Sequence, residues 1–343
     1  MSDIYQDYFA ALTGADVDSA AQLMEDALAR GESPRWLITD VVARAQGQVG
    51  RLWQEGRWDI ADEHAATSVA EQALQLLTRT GPRPPSARRI VLACAEGEWH
   101  TMPARLAGEL ARHSDLDVVM LGGSLPASQL RRYLGGTRPT ALALSVTLPT
   151  NLIAASRSIE AAHAEGVPVV VGGAAWGEGQ LRARRLGADL RLEDPWGLRT
   201  VLDSLVAGRW SSEWRGIPAE ALLLDAAPRE LLQLAFDRHQ AASRWVSTLS
   251  SIHRSELLTD YSWLARHCAA AVAVRDRTVL RSHLGWLLTV VTQRGLPVDG
   301  IADACSYLAD TVFRAAPMAA EVLRAEGGAF RANLAEAEAR SWR

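Results

Sequence analysis

The amino-acid sequence predicts a multidomain protein of α and α/β class, in which a parallel sheet stands between two helical regions. Apolar residues recur at helical spacing over residues 1–80. Short apolar runs then alternate with amphipathic stretches over residues 88–208, and the pattern is helical again over residues 228–343. With 343 residues, 48% of them hydrophobic, the chain is long and apolar enough for several domains with their own cores.

The N-terminal region, residues 1–80, is predicted to form a four-helix bundle. Ser33-Pro34 is typical of a helix start, and apolar residues follow at helical spacing as far as Gly56. A further helix is predicted over residues 59–78, and two shorter helices precede Ser33. The proline-rich segment 80–86 cannot continue a helix, so we expect the first domain boundary there.

The central region, residues 88–208, is predicted to form a flavodoxin-like sheet. Its apolar runs are apolar on both faces, as parallel strands covered by helices on each side must be. Five such runs are present: 89–95, 116–121, 141–146, 167–172 and 188–192. Ligands of these sheets bind at the carboxyl ends of the strands, so the loops that follow the strands are the first candidates for a site.

The C-terminal region, residues 228–343, follows a stretch at 209–227 that is interpreted as a linker. Its length predicts five or six helices, interrupted at 295–297 and at Gly327-Gly328.

Composition excludes several classes of chemistry. All 36 basic residues are arginine, so a Schiff base, a Walker-type phosphate loop and a lysine general base are excluded. The 3 cysteines are widely separated, which argues against a disulfide framework or a zinc site. The net charge of -4 argues against nucleic acid as the main partner. Without a signal peptide or an apolar run long enough for a bilayer, we expect a cytoplasmic protein that does not bind membranes.

The loop after the first strand carries the first candidate site. His100 stands at the carboxyl edge of the predicted sheet, and Glu98 lies two residues before it, where a carboxylate can orient the ring of a metal-bound histidine. Trp99 and Thr101 belong to the same loop. A solvated loop histidine remains the alternative, because a single histidine is a weak signal.

Two further groups of residues are weak signals of a binding site when each group is considered alone. Trp53, Glu63 and His64 bring an indole and an acid–base pair to one end of the bundle, although a core tryptophan with a surface glutamate and histidine is the more typical explanation of these residues taken alone. Small residues follow the other strands, where glycine allows close approach of a ligand and hydroxyls can bind a polar tail. These are Gly122, Ser145, Thr147, Gly172 and Gly173. Ordinary tight turns also need glycine at such positions.

Together these motifs resemble the cobalamin-binding module of methionine synthase and its relatives. That family carries Asp-x-His-x-x-Gly, and its histidine is the lower axial ligand of cobalt. Here Glu98-x-His100 matches, with Pro103 in place of the final glycine. The resemblance implies that His100 ligates cobalt, and that the glycine and hydroxyl residues at the strand ends line a slot for the displaced nucleotide tail.

The bundle motif resembles the cobalamin-dependent light sensors. They carry a tryptophan, an aliphatic residue seven positions later and then Glu-His, as Trp53, Ile60, Glu63 and His64 do here. The resemblance implies that Trp53 covers the upper face of adenosylcobalamin and that Glu63 and His64 bind its adenosyl group. The light-sensing repressors place a histidine next to the tryptophan, whereas this chain has Gln54. Those repressors also carry an N-terminal DNA-binding domain, which we expect to be missing here.

The domain order resembles the photocobilins, which pair cobalamin with biliverdin in a globin-like helical domain. Trp263 with His267, and His283 with Trp286, stand at helical spacing and supply aromatic walls and imidazole donors for a bilin. An ordinary helical partner-binding or dimerisation domain is equally compatible. Cys268 and Cys305 are interpreted as buried thiols rather than as bilin attachment sites.

We therefore expect a photoreceptor rather than an enzyme, which binds adenosylcobalamin through His100 and biliverdin in the C-terminal domain. Cleavage of the cobalt–carbon bond by light would change domain packing or the assembly of a homo-oligomer, and a downstream protein partner would receive the signal. The alternatives are a corrinoid carrier protein for methyl transfer, served by a separate methyltransferase, and a scaffold whose corrin site has decayed.

Overall fold

The computed structural model describes residues 3–79, 88–194, 197–206, 214, 216–293 and 297–341. Two compact units make up the chain. The first comprises residues 1–147, 157–180 and 188–211, and the second comprises residues 148–156, 181–187 and 212–343. Within the described ranges, none of the helices has the length and apolar character that crossing a bilayer requires.

The first unit begins with helices that share one apolar core. They are α1 (Ile4–Thr13), α2 (Val17–Ala29), α3 (Pro34–Trp36), the π-helical segment Leu37–Ala43, α4 (Arg44–Gln54) and α5 (Ile60–Arg79). Tyr8, Met24, Leu37 and Leu77 are fully buried in this core. The predicted start at Ser33-Pro34 is confirmed, because Pro34 opens α3. The predicted boundary at 80–86 lies outside the described residues.

A five-stranded parallel sheet follows in the same unit, as predicted. Its strands are β1 (Arg89–Cys94), β2 (Asp117–Gly122), β3 (Ala141–Ser145), β4 (Val169–Gly172) and β5 (Leu190–Arg191). Their order is β2-β1-β3-β4-β5, which is the flavodoxin-like order. The helices between and after the strands are α6 (Met102–Arg112), α7 (Ala127–Thr137), α8 (Leu152–His163), α9 (Leu181–Arg185) and α10 (Leu198–Val206).

Helix α6 connects the sheet to the N-terminal helices. Its Met102 and Leu110 are buried in the core of those helices, whereas Ala104 and Ala111 belong to the core beside the sheet. The two faces of α6 therefore pack on different layers, and the loop that precedes α6 lies where the layers meet.

The remaining helices belong to the second unit, which also includes α9 and the first residues of α8. They are α11 (Ala219–Asp225), α12 (Arg229–Ala242), α13 (Arg244–Ser247), α14 (Ser251–Ala273), α15 (Thr278–Gln293), α16 (Asp299–Val312) and α17 (Pro317–Ser341). The globin-like arrangement of these helices stays a prediction. The four-helix bundle at the N-terminus and the domain limits 1–80, 88–208 and 228–343 also stay predictions.

Two interpretations of the C-terminal part are wrong. The stretch 209–227 is not wholly a linker, because residues 219–225 form α11 and bury Ala221 and Leu224. Helix α17 runs without a break through Gly327-Gly328. A Cβ on Gly327 would lie 2.7 Å from the Cβ of Cys305, so the glycine allows close helix packing instead of ending the helix.

Candidate functional site

A large cavity lies in the first unit, between the N-terminal helices and the carboxyl edge of the sheet. Its volume is about 1180 Å³, beyond the range of about 300–1,000 Å³ that is common for small-ligand pockets. Residues of α4, α5, the loop before α6 and the ends of β3 and β4 line it. Several of the candidates predicted from the sequence, including His100, Glu63 and Thr147, belong to this lining.

His100 and Glu98 form the best-defined contact in this cavity. Glu98 Oε1 lies 2.6 Å from Nδ1 of His100 and accepts a hydrogen bond of 3.0 Å from the His100 backbone N–H. Glu98 Oε2 accepts a hydrogen bond of 2.8 Å from the backbone N–H of Thr147. Glu98 is fully buried, whereas the His100 side chain is 52% exposed. A buried carboxylate thus holds an accessible imidazole in one orientation.

This arrangement has an electrostatic consequence for His100. The hydrogen bond that the His100 ring donates to Glu98 raises the pKa of His100, burial opposes that effect, and the charges of Glu98 and Glu63 add to it. Because Nδ1 is engaged by Glu98, Nε2 is the nitrogen that remains for a metal. Glu98 therefore orients the His100 ring and increases its basicity, as carboxylates do for metal-bound histidines.

Neighbouring elements hold the His100 loop on both sides. The backbone carbonyl of Glu98 accepts a hydrogen bond of 2.9 Å from the Ser124 N–H, just after β2. Thr101 donates its hydroxyl to Oε1 of Glu71 on α5, at 2.9 Å. The loop is thereby tied to the sheet and to the N-terminal helices together. Glu71 was missed in the sequence, although it stands on the same helix as Glu63, two i, i+4 steps further along.

Helix α4 contributes a wall of small residues. Gly47 and Gly50 line the cavity, as does Ala43 at the end of the preceding π-helical segment, and a Cβ on Gly50 would have no heavy atom within 4 Å. Trp53 lies one turn beyond Gly50 with its side chain 41% exposed, outside the lining. Sequence reasoning singled out the tryptophan and missed the glycines, because an exposed helical glycine carries no signal without knowledge of the facing surface.

Helix α5 contributes the predicted acid–base pair. Ile60, Glu63 and His64 line the cavity, and His64 Nε2 lies 3.5 Å from Oε2 of Glu63. Oε1 of Glu63 accepts a hydrogen bond of 2.8 Å from the hydroxyl of Thr67. Ile60 is 61% exposed, so its apolar side chain stands open beside the pair.

The strand-end residues divide into two groups. Ser145, Thr147, Gly172 and Gly173 line the cavity. Gly173 has φ of +103°, and a Cβ there would lie 2.3 Å from the carbonyl oxygen of Val146, so its place requires glycine. Gly122 at the end of β2 lies outside the lining, whereas Trp99 and Thr101 belong to it.

Three polar atoms of the lining are buried without a hydrogen-bond partner among the described residues. They are Nε2 of Gln46, Oγ1 of Thr147 and Nε of Arg191. Buried donors are almost always satisfied in folded proteins, so these atoms indicate a ligand that carries acceptors. Cobalamin, with its ring of amide carbonyls and its phosphodiester, fits this set together with His100 for the metal.

In the second unit, the four residues predicted to contact a bilin form a continuous aromatic column. The rings of His267 and His283 are stacked with centroids 3.7 Å apart and an interplanar angle of 5°. Trp263 lies 6.1 Å from His267, and Trp286 lies 5.8 Å from His283. Both histidines are buried. The structure brings the four residues together, but their rings pack on one another.

A small cavity of this unit lies elsewhere along α14 and α15. It has a volume of about 60 Å³ and is lined by Trp245, Leu257, Tyr261, Leu287 and nine further residues together with Pro297. None of the four predicted bilin residues belongs to its lining. Cys268 and Cys305 are buried and free, in agreement with their interpretation as structural thiols.

The stacked histidines lead to a prediction about acid stability. Burial lowers the pKa of His267 from 6.5 to about 4, and burial lowers that of His283 as well. In the unfolded chain both rings take up protons near pH 6.5, so between pH 6.5 and 4 the unfolded state binds more protons and folding loses stability as pH falls. We expect His267→Phe to flatten the pH dependence of the urea unfolding midpoint in this window. The same substitution at the exposed His253 serves as the control, and an unchanged slope in His267→Phe would contradict the prediction.

Comparison with known proteins gives two domain matches. Residues 4–78 and residues 88–194 each match a B12 binding domain family. The chain is 30% identical over 198 residues to the HTH-type transcriptional repressor CarH of Myxococcus xanthus, which covers 54% of this chain and 63% of CarH. It thus spans less than two thirds of that relative.

Corrinoid proteins are also similar. The chain is 24% identical over 188 residues to trimethylamine corrinoid protein 1 of Methanosarcina acetivorans, which covers 52% of this chain and 86% of that protein. The structure of the Methanosarcina barkeri monomethylamine corrinoid protein aligns with a TM-score of 0.51 at 18% identity, over 59% of this chain and 98% of that one. At this identity the structural likeness shows a shared fold.

Proposed function

We propose that the chain is a photoreceptor of the cobalamin-binding light-sensor family and that it binds adenosylcobalamin in the large cavity. Its two matches to B12 binding domains and its similarity to CarH support this proposal. The observation that carries this proposal is the Glu98–His100 contact at the edge of that cavity. His100 would hold cobalt from below through Nε2. Ser145, Thr147, Gly172 and Gly173 would line the slot for the nucleotide tail.

The upper side of the cavity supports the adenosyl form. The glycines of α4 leave open space in the cavity, and Glu63 and His64 would offer a carboxylate and an imidazole to the hydroxyls and the base of an adenosyl group. A methyl group needs neither the space nor the polar pair. Trp53, one turn from Gly50, would close this space from its outer end.

The proposed switch uses the contact between the N-terminal helices and the His100 loop. Adenosylcobalamin supplies a photolabile cobalt–carbon bond. Glu71 on α5 accepts the hydroxyl of Thr101, directly beside His100, so a displacement of α5 changes the support of that loop. We propose that such a change alters the assembly of a homo-oligomer and is passed to a protein partner. No residue of the chain acts as a catalyst in this scheme.

The second candidate function is a corrinoid carrier for methyl transfer. The similarity to trimethylamine corrinoid protein 1 favours it, because that relative is covered over 86% of its length. A carrier would also need His100 and the tail slot, but it would have no use for the Glu63–His64 pair.

A second chromophore, biliverdin, is proposed for the helical unit. The aromatic column could meet a planar tetrapyrrole with its outer indoles, Trp263 and Trp286. Arg266 lies over the Trp263 ring at 5.6 Å and offers a cation for a propionate.

The test is the absorption spectrum of the full chain, purified after expression with adenosylcobalamin and biliverdin, before and after green light. We expect a cobalamin spectrum in the dark that changes irreversibly on illumination, and a separate far-red bilin band. A chain that binds methylcobalamin as tightly as the adenosyl form and keeps its assembly state in light would favour the carrier. A colourless protein would contradict both functions, and cobalamin without a bilin band would remove the second chromophore alone.

A further inference from the structure

One charged residue of the large cavity is not explained by the cobalt ligand or the upper pocket. We propose that Arg191 binds the phosphodiester of the cobalamin nucleotide loop, and so selects corrinoids that carry this loop. The inference rests on the proposed function, since it takes cobalamin as the occupant. Among the peripheral groups of cobalamin, the side chains of the ring end in neutral amides and the phosphodiester is the anion.

Arg191 lies at the carboxyl edge of the sheet, where the cavity opens. It is the last residue of β5, and the strand register pairs it with Val171, which in turn pairs with Leu144. All three residues line the cavity. Arg191 thus ends a row of residues that crosses the sheet beneath the proposed ligand.

The backbone of Arg191 is held by one side chain. Gln180 accepts a hydrogen bond of 2.6 Å from the Arg191 N–H through Oε1 and donates one of 2.9 Å to the Arg191 carbonyl through Nε2. A two-residue edge strand has few ladder bonds of its own, so this amide clamp determines where the arginine stands. A group that must meet a ligand benefits from such support.

Among the described residues, the guanidinium of Arg191 has no close partner. Its side chain is 15% exposed, and its Nε is buried without a hydrogen-bond partner in the part of the chain that the structure describes. The carboxylate paired with it, on Glu193, lies 3.7 Å from Nη1, beyond hydrogen-bond distance, and is itself 64% exposed. A desolvated cation with one distant, solvated counterion is a costly arrangement.

A comparison within the same chain shows how such an arginine is normally satisfied. The side chain of Arg182 is 11% exposed, and its Nε lies 2.8 Å from Oδ2 of Asp276 while Nη2 donates to the Thr278 hydroxyl at 2.9 Å. Arg191 has similar burial without equivalent acceptors. The missing acceptor is supplied by a phosphodiester, whose two oxygens match the planar fork of a guanidinium.

The experiment compares two ligands on two proteins. Adenosylcobalamin and adenosylcobinamide share the corrin ring, the cobalt and the upper ligand, but cobinamide lacks the nucleotide loop with its phosphate. We expect Arg191→Met to weaken the binding of adenosylcobalamin at least about tenfold, as loss of a charge-assisted hydrogen bond does. Binding of adenosylcobinamide, followed by the same spectral titration in the dark, is expected to stay unchanged. Arg191→Lys, which keeps the charge, is expected to recover part of the lost affinity.

The control is Arg131→Met, which removes an exposed arginine of the same unit that pairs with Glu165 at 2.7 Å. It should bind both corrinoids as the wild type does. Equal losses for both ligands in Arg191→Met would overturn the inference, because a contact to ring amides or a structural role would then be responsible. Unchanged affinities would overturn it as well. A wild-type protein that binds neither corrinoid contradicts the proposed function instead, so the two failures are distinguishable.

Discussion

Replacing His100 with alanine is expected to abolish the axial histidine spectrum of bound cobalamin and to weaken binding more than any other single change in the site. Loss of an outer partner of a metal ligand costs about 10–100-fold in affinity, and loss of the ligand itself should exceed that. The measurement is a spectral titration with adenosylcobalamin in the dark. A base-off spectrum at saturation, or no binding at all, is the expected result.

The substitution Glu98→Gln distinguishes the role of the metal-binding histidine from that of the carboxylate that orients it. The amide keeps the shape of the side chain but removes the charge that raises the pKa of His100, so affinity should fall by about 10–100-fold while the histidine spectrum is retained at saturation. His163→Ala is the matched control, because His163 is a half-exposed histidine of the sheet region that contacts Asp189 at 2.7 Å and lies outside the cavity lining. If His100→Ala kept the wild-type spectrum, another group would have to be the axial ligand.

The sequence predicts the sheet and the His100 loop well, for physical reasons that are local. A parallel strand buried on both faces requires a short continuous apolar run, and the carboxyl end of β1 requires Glu98 and His100 to share an edge with Thr147. Chain order and strand order together are therefore enough to place these residues at one edge of the sheet.

Residues that face the loop from another layer could not be predicted in this way. Glu71 reaches Thr101 across 30 positions of sequence, and Arg191 reaches the cavity from the far edge of the sheet. No regular spacing in the sequence predicts either contact. In the second unit the i, i+4 pair Trp263 and His267 is visible in the sequence, but its stacking on His283 depends on how α14 and α15 pack. Helical spacing predicts neighbours on one helix and is silent about the facing one.

Replacing Gly50 with phenylalanine is expected to exclude the adenosyl form of the cofactor while the protein stays folded. Gly50 lies in α4, lines the cavity, and has open space where a Cβ would stand. A benzyl group there would occupy the space that an adenosyl group needs, and forcing a ligand against it costs about 1–3 kcal/mol, which is about 5–150-fold in affinity. Methylcobalamin needs less room on this side, so its binding should fall much less.

Gly136→Phe is the matched control for this substitution. Gly136 is also a helical glycine of the first unit with open space at its Cβ, but it lies on α7 outside the cavity lining. Because phenylalanine is a better helix former than glycine, neither variant should lose stability through the helix itself, and thermal unfolding checks that both are folded. Equal losses for adenosylcobalamin and methylcobalamin in Gly50→Phe would show that α4 does not form the wall of an adenosyl pocket. That outcome would favour the corrinoid carrier, since the space beside Gly50 is what separates a site for a large upper ligand from a site for a methyl group.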